Sequence, residues 1–119
     1  MDLSVYFKSM IDEDISPVVI CDLNHIVLYM NPSAVKRYKD LCGKSLLNCH
    51  NQDSAKKINM VIDWFKSNYS NNRVHTFYNP NEHKDVYMVA LRDENGNLIG
   101  YYEKHEYRTI DNSGLYELK

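Results

Sequence analysis

The sequence predicts a single α+β domain: a five-stranded antiparallel sheet, helices on one face of it, and an amphipathic N-terminal helix. Three observations lead there. β-rich runs at both ends of the chain are joined in pairs by tight-turn residues. The periodicity between those ends is helical. A chain of 119 residues with 44% hydrophobic content can bury one core but not two.

From Asp2, a candidate helix N-cap, Leu3, Tyr6, Phe7, Met10 and Ile11 recur at i, i+3, i+4, i+7 and i+8. That stripe marks an amphipathic helix within residues 1–14. Pro17 opens the apolar run Val18–Cys21, Asp22–His25 reads as a tight turn, and Ile26–Met30 is a second β-rich run. Together they make an antiparallel hairpin. Asn31 and Pro32 stop that strand and start a short helix, with Asn31 as cap and Ala34, Val35 and Tyr38 on one face. Leu46–Asn51 is a connector. Asp53 or Ser54 then caps the longest periodic segment, Ala55 to about Ser67, where Ala55, Ile58, Ile62 and Phe65 share a side widened by Val61 and Trp64. A polar loop over 67–72 leads into three more strands: Val74–Tyr78, Asp85–Arg92 and Leu98 to about Arg108. Asn95-Gly96 supplies a type I′ turn between the last two. Residues 111–119 form a polar tail.

Composition removes several function classes. The 14 Lys+Arg against 16 Asp+Glu give a formal charge of −2, with no basic face for nucleic acid or an anionic membrane. No apolar run approaches the length of a membrane span, and the acidic N-terminus does not read as a secretory signal. Three cysteines, Cys21, Cys42 and Cys49, are odd in number and lack a CxxC spacing, which points to a reducing cytoplasm. There is no Gly-rich phosphate loop, HExxH or paired-carboxylate motif, so the chain does not read as an enzyme. His25, His75 and His83 fall in turns or strand ends, where solvent is the expected partner, and no zinc-ligand cluster is spaced for use. Ten tyrosines against three phenylalanines and one tryptophan suggest half-buried surfaces, or a cavity with polar contents.

The segment Pro17–Asn24, then Ile26–Met30, then Asn31-Pro32-Ser33-Ala34 resembles the opening of a PAS domain. Leu91–Gly96, leading through Leu98-Ile99-Gly100 to Glu103, is similar to that family's last hairpin, and the resemblance covers residues 15–110. Tyr107-Arg108-Thr109-Ile110 stands where many PAS domains carry an Asp-Ile-Thr-like signature, which puts a direct helical hand-off to an effector in doubt. Asn48-Cys49-His50-Asn51 followed by Ser54 looks like bacterial PAS-like modules with a Cys-His pair before the long helix. The resemblance implies sensing. PAS domains bind small molecules or cofactors between the sheet and the central helices, dimerise (often through an N-terminal helix), and signal to a partner or output domain.

Four residues are candidates for the binding site: Cys49, His50, Tyr101 and Glu103. An imidazole or thiolate can ligate haem iron, which makes His50 an axial-ligand candidate if haem is bound; the plainer role is a capping or packing histidine bonded to backbone. Alternation puts Ile99, Tyr101, Glu103, His105 and Tyr107 on one face of the last strand, and Leu98, Tyr102, Lys104 and Glu106 on the other. If the first set faces the helices, Glu103 needs a partner, with His50 or a Tyr hydroxyl in reach; otherwise it sits at the sheet edge in water. Leu3, Tyr6, Phe7 and Met10 must dock on something, either their own sheet or a second copy in a homodimer. Three functional readings result: a sensor binding a small molecule and signalling through dimer or partner contacts, a haem-based gas or redox sensor, and a ligand-free interaction module.

Overall fold

Turn chemistry near the N-terminus sets the first strands. The computed structural model describes residues 1–118, the Cys49 side chain excepted. After helix α1 (Ser4–Asp12), strands β1 (Val19–Asp22) and β2 (Val27–Met30) pair with Val19 opposite Met30. Asp22 closes their turn, its Oδ1 accepting from the amides of Asn24 at 2.8 Å and Ile26 at 3.0 Å. Helix α2 (Pro32–Tyr38), a 3₁₀ turn (Leu46–Cys49) and helix α3 (Gln52–Ser67) follow, then β3 (Arg73–Asn79), β4 (Lys84–Arg92) and β5 (Leu98–Tyr107). All neighbouring strands run antiparallel in the order β2-β1-β5-β4-β3, so the last strand lies at the centre, against the first. The predicted α+β class and five-stranded antiparallel sheet are therefore the observed ones. Gly100 permits the close approach of β5 to β1, because a Cβ there would collide with the Cys21 carbonyl oxygen.

One face of the sheet, with Val19, Cys21, Val27, Met30, Met88 and Tyr101, packs on Ala34 of α2 and on Ile58, Val61, Ile62 and Phe65 of α3. Arg92 fastens the C-terminal end of α3 to the sheet. Its guanidinium donates to the carbonyls of Phe65 (2.7 Å) and Gly96 (3.1 Å) and to Asn72 Oδ1 (2.7 Å).

Local chemistry shifts several predicted details. Helix α3 begins at Gln52, capped by Asn51, whose Oδ1 accepts from the Ser54 amide at 2.8 Å. Asp53 instead occupies the first turn, where its charge meets the positive end of the helix. Asp2 does not cap α1: it binds the Ser4 amide and hydroxyl from outside the helix, and Leu3 holds the N-cap position. The alternation of β5 breaks at a bulge, with Leu98 opposite Arg92 and Gly100 opposite Leu91. Ile99 is the extra residue and is exposed, while Leu98 packs against the core.

Asn31 joins these parts. It is fully buried, and it uses the whole capacity of its amide. Oδ1 accepts from the amides of Val18 (2.9 Å) and Ala34 (3.0 Å), starting β1 and capping α2. Nδ2 donates to the carbonyls of Ile11 and Ser16, both at 2.9 Å, with that of Asp14 at 3.4 Å. Helix α1 is held at this end, where Tyr29 also donates to Asp12. Its stripe of Leu3, Tyr6, Phe7 and Met10 stays exposed rather than docking on its own sheet. Asn31→Ala strands buried donors and acceptors in three segments and removes a helix cap. It is expected to lower stability by about 3 kcal/mol in urea unfolding. A loss below about 1 kcal/mol would contradict this role.

Candidate functional site

The space left between sheet and helices is a cavity of about 230 Å³. Val19 of β1, Met88 of β4, and Tyr101 and Glu103 of β5 form its sheet side; Tyr38, Leu41, Leu46, His50 and Ile58 close it from the helical side. It meets a more open cleft of about 330 Å³ along His50, Ile58, Met88 and Glu103, which continues past Lys57 to Phe77 on β3.

Of the sequence-predicted site residues, the fold brings His50, Tyr101 and Glu103 to this one cavity. The Cys49 side chain lies outside the described residues. His50 is exposed on its outer side, and its Nδ1–H donates to the Leu46 carbonyl at 2.8 Å. Glu103 is neither at an edge nor paired with His50 or a tyrosine. His105 Nε2–H donates to its Oε1 at 2.7 Å, from two residues along the same face of β5. His105 is buried, and its Nδ1 has no partner among the described residues.

The sequence reading missed His25. It does sit in the β1–β2 turn, but a φ of 65° turns it inward, and it is 8% exposed rather than solvated. Its Nε2–H donates to Asn59 Oδ1 at 3.0 Å, so Nδ1 accepts the Tyr101 hydroxyl proton at 2.8 Å. This chain of bonds fixes Tyr101 against α3. Burial, with Cys21 and Glu103 adding to it, pushes the Tyr101 hydroxyl far above its ordinary pKa. Burial likewise raises the Cys21 thiol to about 11, so it stays protonated and unreactive at neutral pH. His75, by contrast, is half exposed and pairs with Asp85 at 2.8 Å.

A clasp joins α2 to the β3–β4 turn beside the cavity. Arg37 Nη1 and Nη2 donate to Glu82 Oε1 and Oε2 at 2.7 and 2.8 Å, next to Tyr38 in the wall. The buried ammonium of Lys84 lies 3.4 Å from Glu82 Oε2. Among the described residues no group of three His, Cys, Asp or Glu side chains is arranged to hold a metal ion. No helix among them is long and apolar enough to cross a membrane.

Comparison with known families decides the lineage: the sequence profile of the PAS domain matches residues 8–105. The chain belongs to the PAS family. Solved structures agree at the level of the fold. The C-terminal domain of a Streptococcus mutans protein is 19% identical at a TM-score of 0.67, covering 85% of this chain and 81% of that one. A PAS domain from Colwellia psychrerythraea is 14% identical at 0.66, covering 89% and 97%. The Vibrio cholerae Aer2 receptor, described as a dual PAS-heme oxygen sensor, is 16% identical at 0.54, covering 79% and 95%. A comparison with curated proteins finds no match. As a PAS domain, the chain is a sensory and signalling module, and the cavity lies between its sheet and helices.

The Arg37–Glu82 clasp carries a pH signature. Hydrogen bonds from Arg37, with Lys84 adding to them, hold the Glu82 carboxyl at about 2 against an ordinary value of 4.5. A lowered carboxyl pKa stabilises the fold above the unfolded value, so this contribution is complete above pH 4.5 and is lost as the pH falls towards 2. Arg37→Ala is expected to flatten the acid limb of stability within that window. Parallel limbs for wild type and variant, read as urea midpoint against pH, would contradict the clasp.

Proposed function

We propose that this PAS domain senses a small molecule held between sheet and helices, without reaction chemistry of its own, and signals through contacts of α1 with a second copy or a separate partner. The cavity carries the reading. Both layers of the fold contribute to its wall, so whatever fills it bears on their separation. An apolar cavity of about 150 Å³ takes up benzene, so one of 230 Å³ has room for roughly nine or ten non-hydrogen atoms. Tyr38 in the wall belongs to the helix that Asn31 caps, and the same Asn31 amide holds the Ile11 carbonyl of α1. A ligand that favours one placement of α2 thereby biases α1. The exposed stripe of Leu3, Tyr6, Phe7 and Met10 suits a homodimer contact, because a helix this short is marginal with its apolar face in water. Cys21 and Cys42 are free thiols, in keeping with a reducing cytoplasm.

A haem sensor is the second reading. His50 favours it in one respect: with Nδ1–H on a carbonyl, Nε2 presents a lone pair, the usual arrangement of a metal-ligating imidazole. The space does not fit the group. A porphyrin needs far more than 230 Å³, and the Glu103 carboxylate stands in the wall it would press against. The third reading, an interaction module with a filled core, fits poorly with an open cavity of this size.

Thermal-shift screening with molecules of up to about ten non-hydrogen atoms is expected to raise Tm, and Ile58→Trp, which fills the cavity, to abolish the rise. An empty screen, or hits untouched by Ile58→Trp, would contradict the reading. Haem titration is expected to leave the Soret band of free haem unshifted; a shift that is lost in His50→Ala would reverse the order of the first two readings. Light scattering is expected to find a dimer in the wild type and a monomer in Phe7→Glu. A wild type that stays monomeric at high concentration contradicts the α1 contact.

A further inference from the structure

Four polar side chains stand in the cavity wall: Tyr38, His50, Tyr101 and Glu103. Glu103 commits Oε1 to His105, and among the described residues nothing pairs with its Oε2. The Leu46 carbonyl can only accept, so His50 carries its proton on Nδ1 and presents Nε2 as an acceptor. The Tyr101 hydroxyl is engaged inside the fold, donating to His25 Nδ1 and meeting the Cys21 thiol, neither of which lines the cavity. Of the four, His50 and Glu103 therefore keep acceptor atoms that no protein donor occupies among the described residues. No Lys or Arg lines the cavity, and the rest of its wall is Val19, Leu41, Leu46, Ile58 and Met88. Burial holds the Tyr38 hydroxyl above its ordinary pKa, with the Glu103 charge adding to the shift and the Arg37 guanidinium opposing it.

Resting on the reading of this cavity as the ligand site, we propose that it takes a small organic amine, whose protonated nitrogen donates to Glu103 Oε2 and His50 Nε2 and whose apolar body fills the remaining space. An ammonium has donors and no acceptor, the complement of this wall. A carboxylate of the same size would face Glu103 with like charge and find few donors.

Three probes with one chain and three heads separate the possibilities: n-hexylamine, 1-hexanol and hexanoate, titrated into the full chain and followed by amide chemical shifts. Hexylamine is expected to shift the amides around Ile58, Tyr101 and Glu103 and to bind about tenfold more tightly than hexanol, a charge-assisted hydrogen bond exceeding a neutral one. Hexanoate is expected to leave those amides unmoved. In Glu103→Gln the advantage of amine over alcohol is expected to vanish. Hexanol binding in the cavity as well as hexylamine would overturn the amine inference and leave the cavity reading standing. Failure of all three probes would overturn both. An amine preference that survives in Glu103→Gln would overturn the role given to Glu103. Should that variant fail to fold, the wild-type series decides alone.

Discussion

A buried amide must satisfy all its hydrogen-bonding capacity or destabilise the fold, and Asn31 does so with groups from three separate segments. The end of α1, the start of β1 and the first turn of α2 are thereby fixed relative to one another. Pro32 reinforces the point, since its ring presets the first helical φ and it has no amide proton to satisfy. The position of Tyr38, one wall of the cavity, follows from where Asn31 starts the helix.

The cavity owes its character to what the neighbouring residues do with their protons. The Tyr101 hydroxyl donates to His25, the His50 Nδ1–H donates to the Leu46 carbonyl, and His105 donates to one oxygen of Glu103. All of these bonds lie within the fold, so the free acceptor atoms of His50 and Glu103 are set by the protein itself. The ten tyrosines divide evenly: Tyr38 and Tyr101 line the cavity, Tyr29, Tyr87 and Tyr102 are half-buried on other surfaces (Tyr87 beneath the Arg73 guanidinium at 4.1 Å), and Tyr6, Tyr69, Tyr78, Tyr107 and Tyr116 are exposed. Rings that must be partly wet and partly packed suit tyrosine better than phenylalanine.

Features set by local chemistry were legible in the sequence. Asn31-Pro32 announced a cap and a first turn, and the stripe of Ile58, Ile62 and Phe65 announced the buried face of α3. Features set by distant partners were not. His25 sits in a turn, and only Tyr101, 76 residues away, and Asn59, 34 away, draw it inward. The bulge at Ile99 depends on how β4 pairs with β5, which alternation along one strand cannot reveal. The Glu103–His105 pair lies within one strand, and alternation puts both on one face, yet a carboxylate's partner can equally lie across the fold. The start of α3 was misplaced for a smaller reason: Asn51, Asp53 and Ser54 are all acceptable caps, and the backbone chose the first.

That sheet and helices enclose a space open to a small molecule is the claim on which the sensory reading stands. Xenon tests it without regard to head-group chemistry, because it enters apolar cavities of this kind. Under xenon pressure the side-chain methyl resonances of Val19, Leu46, Ile58 and Met88 are expected to shift together and saturably. Shifts confined to surface methyls, with those four unmoved, would mean that the cavity is closed or filled.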